Sequence, residues 1–529
     1  MGIMGEDVPP SYIAKAEPTT LTVEATKDDN DPDDANYQRK VQLLNDAMQE
    51  VVTGLILPAV VNEFKFKGPF LKLGQNVGLL VGAAFWGVGA DIWGRKISFN
   101  ITLFITGAFA LAAGGSPNYV ALSSLVALWS VGVGGNLPVD SAIFLEFVPG
   151  THQYLLTVLS IWWALGQLIG SLIAWPLIGA FSCPTTSEST FSGNVFLCPR
   201  SSNMGWRYFL FTMGSLTLLM WGIRFFFFTL YESPKYLMGK GEDDEAVAVL
   251  RKVAKFNGKE GNVKLTAGDL TRLAFVSESG SAGKARDVNL VLDGALREVV
   301  LKKMAVVDAN HIKPLFATRK LAWSTGLLIA LWALIGLAFP LYNSFVTYYL
   351  ATRGADFGDG SAYITYRNQV ILSVIGVPGA LLAGYMVELP LLGRRGTLFI
   401  STSTLNSMRS YCPHFNIHLA LTGIFILAST TARTSNALLG WNSAYSFTSN
   451  VMYGVLYALT PEMFPTKDRA TGNALTASAN RIFGVMAPII ALYADLTTSV
   501  PIFIAGAIFL TAGFIALLLP YEPRGRASL

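Results

Sequence analysis

Hydrophobic positions along this chain gather into long runs instead of alternating with polar ones. Residues 120–139, 154–181, 209–230, 321–350 and 500–519 are each apolar over 20 residues or more, the length that carries a helix across ~30 Å of hydrocarbon. Each run predicts a membrane-spanning helix, since a helix satisfies its backbone polar groups internally in lipid. The runs fall into two blocks, 51–230 and 321–519, separated by the polar stretch 239–320. Within that stretch EDDEAVAVLRKVAKF (242–256) sets Ala246, Val249, Leu250 and Val253 on one face, an amphipathic helical pattern. The predicted organisation is a disordered cytosolic tail (1–46), an N-terminal transmembrane half (47–237), a cytosolic central loop (238–320) and a C-terminal transmembrane half (321–529).

Composition agrees with that pattern. Apolar residues make up 52% of the chain and charged residues 14%, where soluble proteins carry about 25% charged residues. The net charge of +4 comes without basic-aromatic tracts, which excludes nucleic acid as an expected partner. The tail holds an acidic cluster, KDDNDPDD (27–34), and no signal-peptide pattern. Basic residues set the orientation. Residues 239–320 carry fifteen Lys and Arg and the loop 182–205 carries only Arg200, so the first is assigned to the cytosol and the second to the outside. Lys65, Lys67 and Lys72 stand against this rule, in a segment assigned to the outside. Cys183 and Cys198 bracket the outer loop as a disulfide candidate. The histidines and cysteines show no metal-ligand set, no nucleophile is paired with a base, and no cofactor is expected.

Three motif pairs recur in the same order across the two blocks. GVGADIWGRK (Gly87 to Lys96) matches GYMVELPLLGRR (Gly384 to Arg395). Glu146-Phe-Val-Pro149 matches Glu462-Met-Phe-Pro465, and Tyr231-Glu-Ser-Pro234 matches Tyr521-Glu-Pro523. Three pairs in register argue for a duplicated six-span unit with a site between the copies, a transporter architecture.

These residues resemble the major facilitator superfamily: GxxxDxxGRK, the Glu-x-x-Pro after the fourth span, YESPKYL after the sixth and PEMFPTKDRATG after the tenth. SVGVGGNLPVDSAIFLEFVPG (130–150) is similar to the branch of synaptic vesicle glycoproteins and niacin-type organic-acid transporters. TARTSNALLGWNSAYSFTSN and GNALTASANRIFG resemble its fungal members. The resemblance implies an all-α membrane protein of major facilitator fold, two six-helix halves and nominally twelve spans. Two places depart from it. Apolar sequence begins 63 residues before Gly384, but only from Val51 before Gly87. That leaves VVTGLILPAVV as an apparently shortened first span of ~16 Å, where family members carry a full span that often contains an acid. A polar intrusion, NSMRSYCPHFNIH (406–418), interrupts the ninth. Both departures read as misplaced exon boundaries.

Functional residues follow from position. Asp91 and Arg95, flanked by Gly87, Gly94 and Lys96, form an expected cytosolic clasp. Its repeat is Gly384, Glu388, Gly393 and Arg394, and Glu146, Glu232, Glu462 and Arg469 join the same gate network. Asp140, an intramembrane acid after Gly132, Gly134 and Gly135, is the candidate for proton coupling. Arg481 lies ~13 Å into the eleventh span. The resemblance implies that it faces substrate, because related organic-ion carriers select charge there, and its paired N–H donors favour a carboxylate. Polar stripes complete the substrate-binding candidates: Asn442, Tyr445 and Ser446 on the tenth span, Trp163 and Gln167 on the fifth, Tyr342 and Asn343 on the seventh after Pro340. Each stripe alone also reads as helix-packing glue.

The expected function is alternating-access transport of a small polar organic anion with protons, by a monomer in the lipid bilayer of the plasma membrane or an organelle. A sugar-like facilitator and a non-transporting receptor or scaffold are the alternatives. An enzyme is not expected.

Overall fold

The structure is a computed structural model that describes residues 34–93, 95–147, 155–183, 198–227, 237, 242–256, 313–356, 361–388, 421–464, 469–494 and 498–520. Every regular element among the described residues is helical. Before the central stretch lie α1 (Asp34–Phe64), α2 (Pro69–Trp93), α3 (Arg95–Ala113), α4 (Tyr119–Phe147), α5 (Leu155–Ala180) and α6 (Gly205–Phe227). The amphipathic pattern forms α7 (Asp243–Phe256), which buries Ala246 and Val247 against Leu237, with Val249 beside them. After the central stretch come α8 (Arg319–Asn343), α9 (Val346–Asp356), α10 (Ala362–Glu388), α11 (Leu421–Ser429), α12 (Ser435–Met463), α13 (Arg469–Tyr493) and α14 (Val500–Leu517). Five described helical stretches are long and apolar enough to cross a membrane, among them Ser160–Ala180, Ala362–Met386 and Val500–Leu517.

Local chemistry starts the helices where the sequence allows. Thr318 caps α8 by accepting from the Leu321 N–H at 3.2 Å, and Thr434 caps α12 by accepting from the Ala437 N–H at 3.2 Å. Both side chains take up a donor that a helix start leaves unpaired. Pro340 does not end α8. The helix runs to Asn343, and the break falls at Ser344, whose N–H reaches back to the Pro340 carbonyl at 3.2 Å.

The first span is corrected by the structure. α1 is one helix of 31 residues, about 46 Å long, and the predicted boundary at residue 46 falls inside it. Leu43, Asn45, Asp46, Met48 and Gln49 are all buried. The Gln49 amide donates to Thr217 Oγ1 at 2.9 Å, and the Thr217 hydroxyl donates to Asn45 Oδ1 at 2.8 Å. The N-terminal half of this helix is polar where it meets Thr217 of α6, and so an apolar-run criterion begins counting only at Val51. Lys72, one of the three lysines that stood against the charge rule, lies in α2 and not in a loop: it is 3% exposed and donates to Gln75 Oε1 at 2.7 Å and to the Glu50 carbonyl at 3.3 Å. The proposed interruption of the ninth span lies outside the described residues.

Glycines set the tightest contacts. A Cβ on Gly78 or Gly82 would stand 2.2 Å from the Ala127 or Val131 carbonyl oxygen, and one on Gly134 would stand 2.2 Å from the Leu79 oxygen. Helices α2 and α4 therefore meet backbone to backbone. Helices from before and after the central stretch also pack together: α5 with α10 and α12, α2 with α13, and α1 with α9. Ser171 and Ser373 share a hydrogen bond of 2.9 Å across the α5–α10 contact.

Candidate functional site: a polar cavity between helices from both ends of the chain

A small, partly open polar cleft lies where α1, α2, α8, α12 and α13 converge. Arg481 of α13 and Glu50 of α1 line it together. Both are half-buried, and Glu50 is drawn electrostatically to the buried Lys72 behind it. Asn76 of α2 and Asn480 of α13 add amides, and Phe339 of α8 and Tyr453 of α12 add rings packed edge to face at 4.6 Å. The wall is held from behind. The Asn76 amide donates to the Gly484 carbonyl at 2.6 Å, tying α2 to α13 across the chain. Gln75 and Lys72 both donate to the Glu50 carbonyl, at 3.4 and 3.3 Å, and fix the α1 backbone beside its carboxylate. Gly336 lets α8 close on α13, because a Cβ there would meet Asn480 Oδ1 at 2.2 Å.

Of the expected substrate residues, Arg481 lines this cavity. Tyr342, Asn442 and Tyr445 form a separate buried group: the Tyr342 hydroxyl donates to Asn442 Oδ1, the Asn442 amide donates to the Leu438 carbonyl at 2.8 Å, and the two tyrosine rings pack at 4.6 Å. Ser446 donates to the Leu372 carbonyl of α10 at 2.7 Å. The Tyr342–Asn442 and Ser446–Leu372 bonds join neighbouring helices, and the Asn442–Leu438 bond lies within α12. Trp163, Gln167 and Asn343 are half-buried and do not line the cavity. Glu50, Asn76 and Asn480 were missed. The spacing of Asp46 and Glu50, four apart, was a legible signal that both belong to a helix, and Asn480 adjoins the cation already chosen.

Gly87 and Asp91 end α2, Arg95 and Lys96 open α3, and Arg469 opens α13. Asp140 and Glu146 lie in the last third of α4, and Glu388 closes α10. Their side chains lie outside the described residues, as do Gly94, Glu232, Gly393 and Arg394 altogether. Gly384 lies within α10, and Glu462 is half-buried near the end of α12.

At the opposite end of α1 a second polar cluster stands on its own. Glu63 accepts from Arg207 Nη2 at 2.6 Å, Arg207 Nη1 at 2.9 Å, Trp206 Nε1 at 2.9 Å and Asn203 Nδ2 at 3.0 Å. Arg207 also donates to the Ser116 carbonyl at 3.4 Å and lies 4.1 Å from the Trp206 ring centre. Cys183 and Cys198 form a disulfide beside it, with Cα atoms 6.1 Å apart, and the Cys183 N–H donates to Asn203 Oδ1 at 3.4 Å. Among the described residues no group of His, Cys, Asp and Glu is arranged to hold a metal ion.

A helical membrane protein with a polar cavity shared by helices from both ends of its chain belongs to the class of solute carriers. The family model for "Sugar (and other) transporter" matches residues 74–521, and the chain belongs to that family of major facilitator transporters. It is 54% identical to a protein of Ceriporiopsis subvermispora named MFS siderochrome iron transporter 1, over 94% of this chain and 93% of that one. It is 45% identical to an uncharacterized MFS-type transporter of Schizosaccharomyces pombe, over 99% and 96%. At 24% identity it matches a niacin transporter of Acinetobacter baylyi, over 84% and 83%. Among solved structures the E. coli xylose transporter XylE in a partially occluded inward-open state superposes with a TM-score of 0.62. That match has 15% identity and covers 93% of this chain and 99% of that one, a likeness of fold. The chain is a transporter and not an enzyme.

Proposed function

We propose that this chain is a twelve-span secondary transporter in two six-helix halves that moves a small organic anion together with a proton by alternating access. The observation that carries the reading is Arg481, a guanidinium lining a cavity that α1 and α2 share with α8, α12 and α13. A cation at that depth in a membrane is costly unless it serves a solute or a partner. Asp140 is the proposed proton carrier. The clasps Asp91–Arg95 and Glu388–Arg394, with Glu146, Glu232, Glu462 and Arg469, are the proposed inner gate, and the plasma membrane is the proposed location.

The test is uptake by proteoliposomes of the purified chain under an imposed inward proton gradient. Small carboxylates, a neutral hexose and a ferric siderochrome are offered in parallel. Carboxylate uptake that collapses with the gradient, and in Arg481→Ala, supports the reading. The name of the Ceriporiopsis relative supports a second one, in which a siderochrome is the cargo. Siderochrome uptake with no carboxylate uptake would replace the first reading by the second.

A further inference from the structure

An anion carrier needs a cation in its site, and Arg481 meets that need. It does not need a carboxylate beside the cation, because an acid in the same wall repels the cargo. Yet Glu50 lines the cavity with Arg481, and no ion pair joins the two among the described residues, so neither charge is spent on the other. The buried Lys72 attracts the Glu50 carboxylate from behind the wall. It is 3% exposed, is not part of the cavity wall, and is held behind it by Gln75 Oε1 and the Glu50 carbonyl. The wall that the solute meets carries one acid and one cation. Two amides and the rings of Phe339 and Tyr453 line the same wall, and ring faces attract a cation.

We infer that the cavity selects a zwitterion: a compact solute with a carboxylate for Arg481 and a positively charged nitrogen for Glu50. Glu50 is the specificity-determining residue, rejecting plain anions by repulsion, as selective sites do. Asn76 and Asn480 bind the polar edge, and the rings cover the apolar and cationic face. This rests on the anion reading of the same cavity and narrows it.

A matched pair of probes separates the two. Pyridine-3-carboxylate is a plain anion at neutral pH. N-methylpyridinium-3-carboxylate is the same molecule with one methyl group and a permanent positive charge. Uptake and equilibrium binding of each are measured with the full chain in proteoliposomes, for wild type, Glu50→Gln, Glu50→Asp and Arg481→Ala. The wild type is expected to prefer the zwitterion by roughly tenfold or more, the size of a charge-assisted contact. In Glu50→Gln the ratio falls to about one, Glu50→Asp keeps a preference, and Arg481→Ala loses both probes. Equal handling of the two probes by the wild type overturns the inference while leaving the anion reading standing. Binding of neither probe overturns the inference and removes pyridine carboxylates from the anion reading. If Glu50→Gln keeps the wild-type ratio but loses the dependence of uptake on the proton gradient, Glu50 is a proton site and the inference fails. Should neither Glu50 variant fold, the wild-type ratio decides alone.

Discussion

Removing the Glu63 carboxylate should be the most damaging single change at the C-terminal end of α1. In Glu63→Ala the four donors that converge on it lose their acceptor together. Arg207 is then left 1% exposed with a charge and no counter-ion. Breaking a buried ion pair from one side costs about 3–5 kcal/mol. The individual bonds, at about 1.5–3 kcal/mol each to a charged partner, do not add beyond that range because Arg207 and Asn203 can reach other carbonyls. A drop of 1 kcal/mol lowers the melting temperature of a mid-sized protein by about 2–4 °C, so at the lower figure the expected fall is roughly 6–10 °C. The assay is thermal unfolding of the purified chain in detergent, followed by monodispersity after heating. Glu63→Leu combined with Arg207→Met removes both charges and should recover a large part of the loss. A single variant that melts within about 1 °C of wild type, or a double variant as unstable as the single, would refute the reasoning that the desolvated arginine is what costs.

The remaining predictions address other elements. Deletion through residue 46 removes Leu43, Asn45 and Asp46 from the buried face of α1 and should abolish monodisperse protein, whereas deletion through residue 33 keeps α1 whole. Gly134→Leu drives a side chain into the Leu79 carbonyl and should abolish folded yield, with Gly222→Leu, at an open position, as the tolerated control. Replacing Cys183 and Cys198 by Ser opens a loop of 15-residue separation and should cost up to about 3 kcal/mol. A reductant should then lower the melting temperature of the wild type and leave that variant unchanged.

The parts of this fold that were legible in sequence are those where burial and apolarity coincide. The runs around 160–180, 321–350 and 500–519 became helices because lipid and neighbouring helices make the same demand of a side chain. Arg481 was legible for the converse reason, a charge where none is affordable without a task. α1 escaped because Asn45, Gln49 and Thr217 satisfy one another 168 and 172 residues apart, and a hydropathy window sees the polar atoms but not their partners. The polar stripe on α12 divides. Tyr453 lines the cavity, whereas Asn442 and Ser446 bond to Tyr342 and the Leu372 carbonyl on neighbouring helices. Periodicity reports which residues share a face and not what that face meets.

The polar N-terminal half of α1 has a consequence for how the chain is made. This helix, synthesised before α6, carries Asn45, Asp46, Gln49 and Glu50, and an acid at mid-helix alone opposes insertion by about 2.5–3.5 kcal/mol. The Thr217 hydroxyl that completes the Gln49–Asn45 chain of hydrogen bonds follows Gln49 by 168 residues. At about 5–20 residues per second of synthesis, that is on the order of ten to thirty seconds of waiting. During that interval Gln49 and Asn45 lack the hydroxyl that joins them, so α1 must either linger beside the insertion machinery or sit shallow until α6 arrives. An early-made helix thus settles late, and a cell that shortens this delay or shelters α1 through it sets how much finished carrier is obtained.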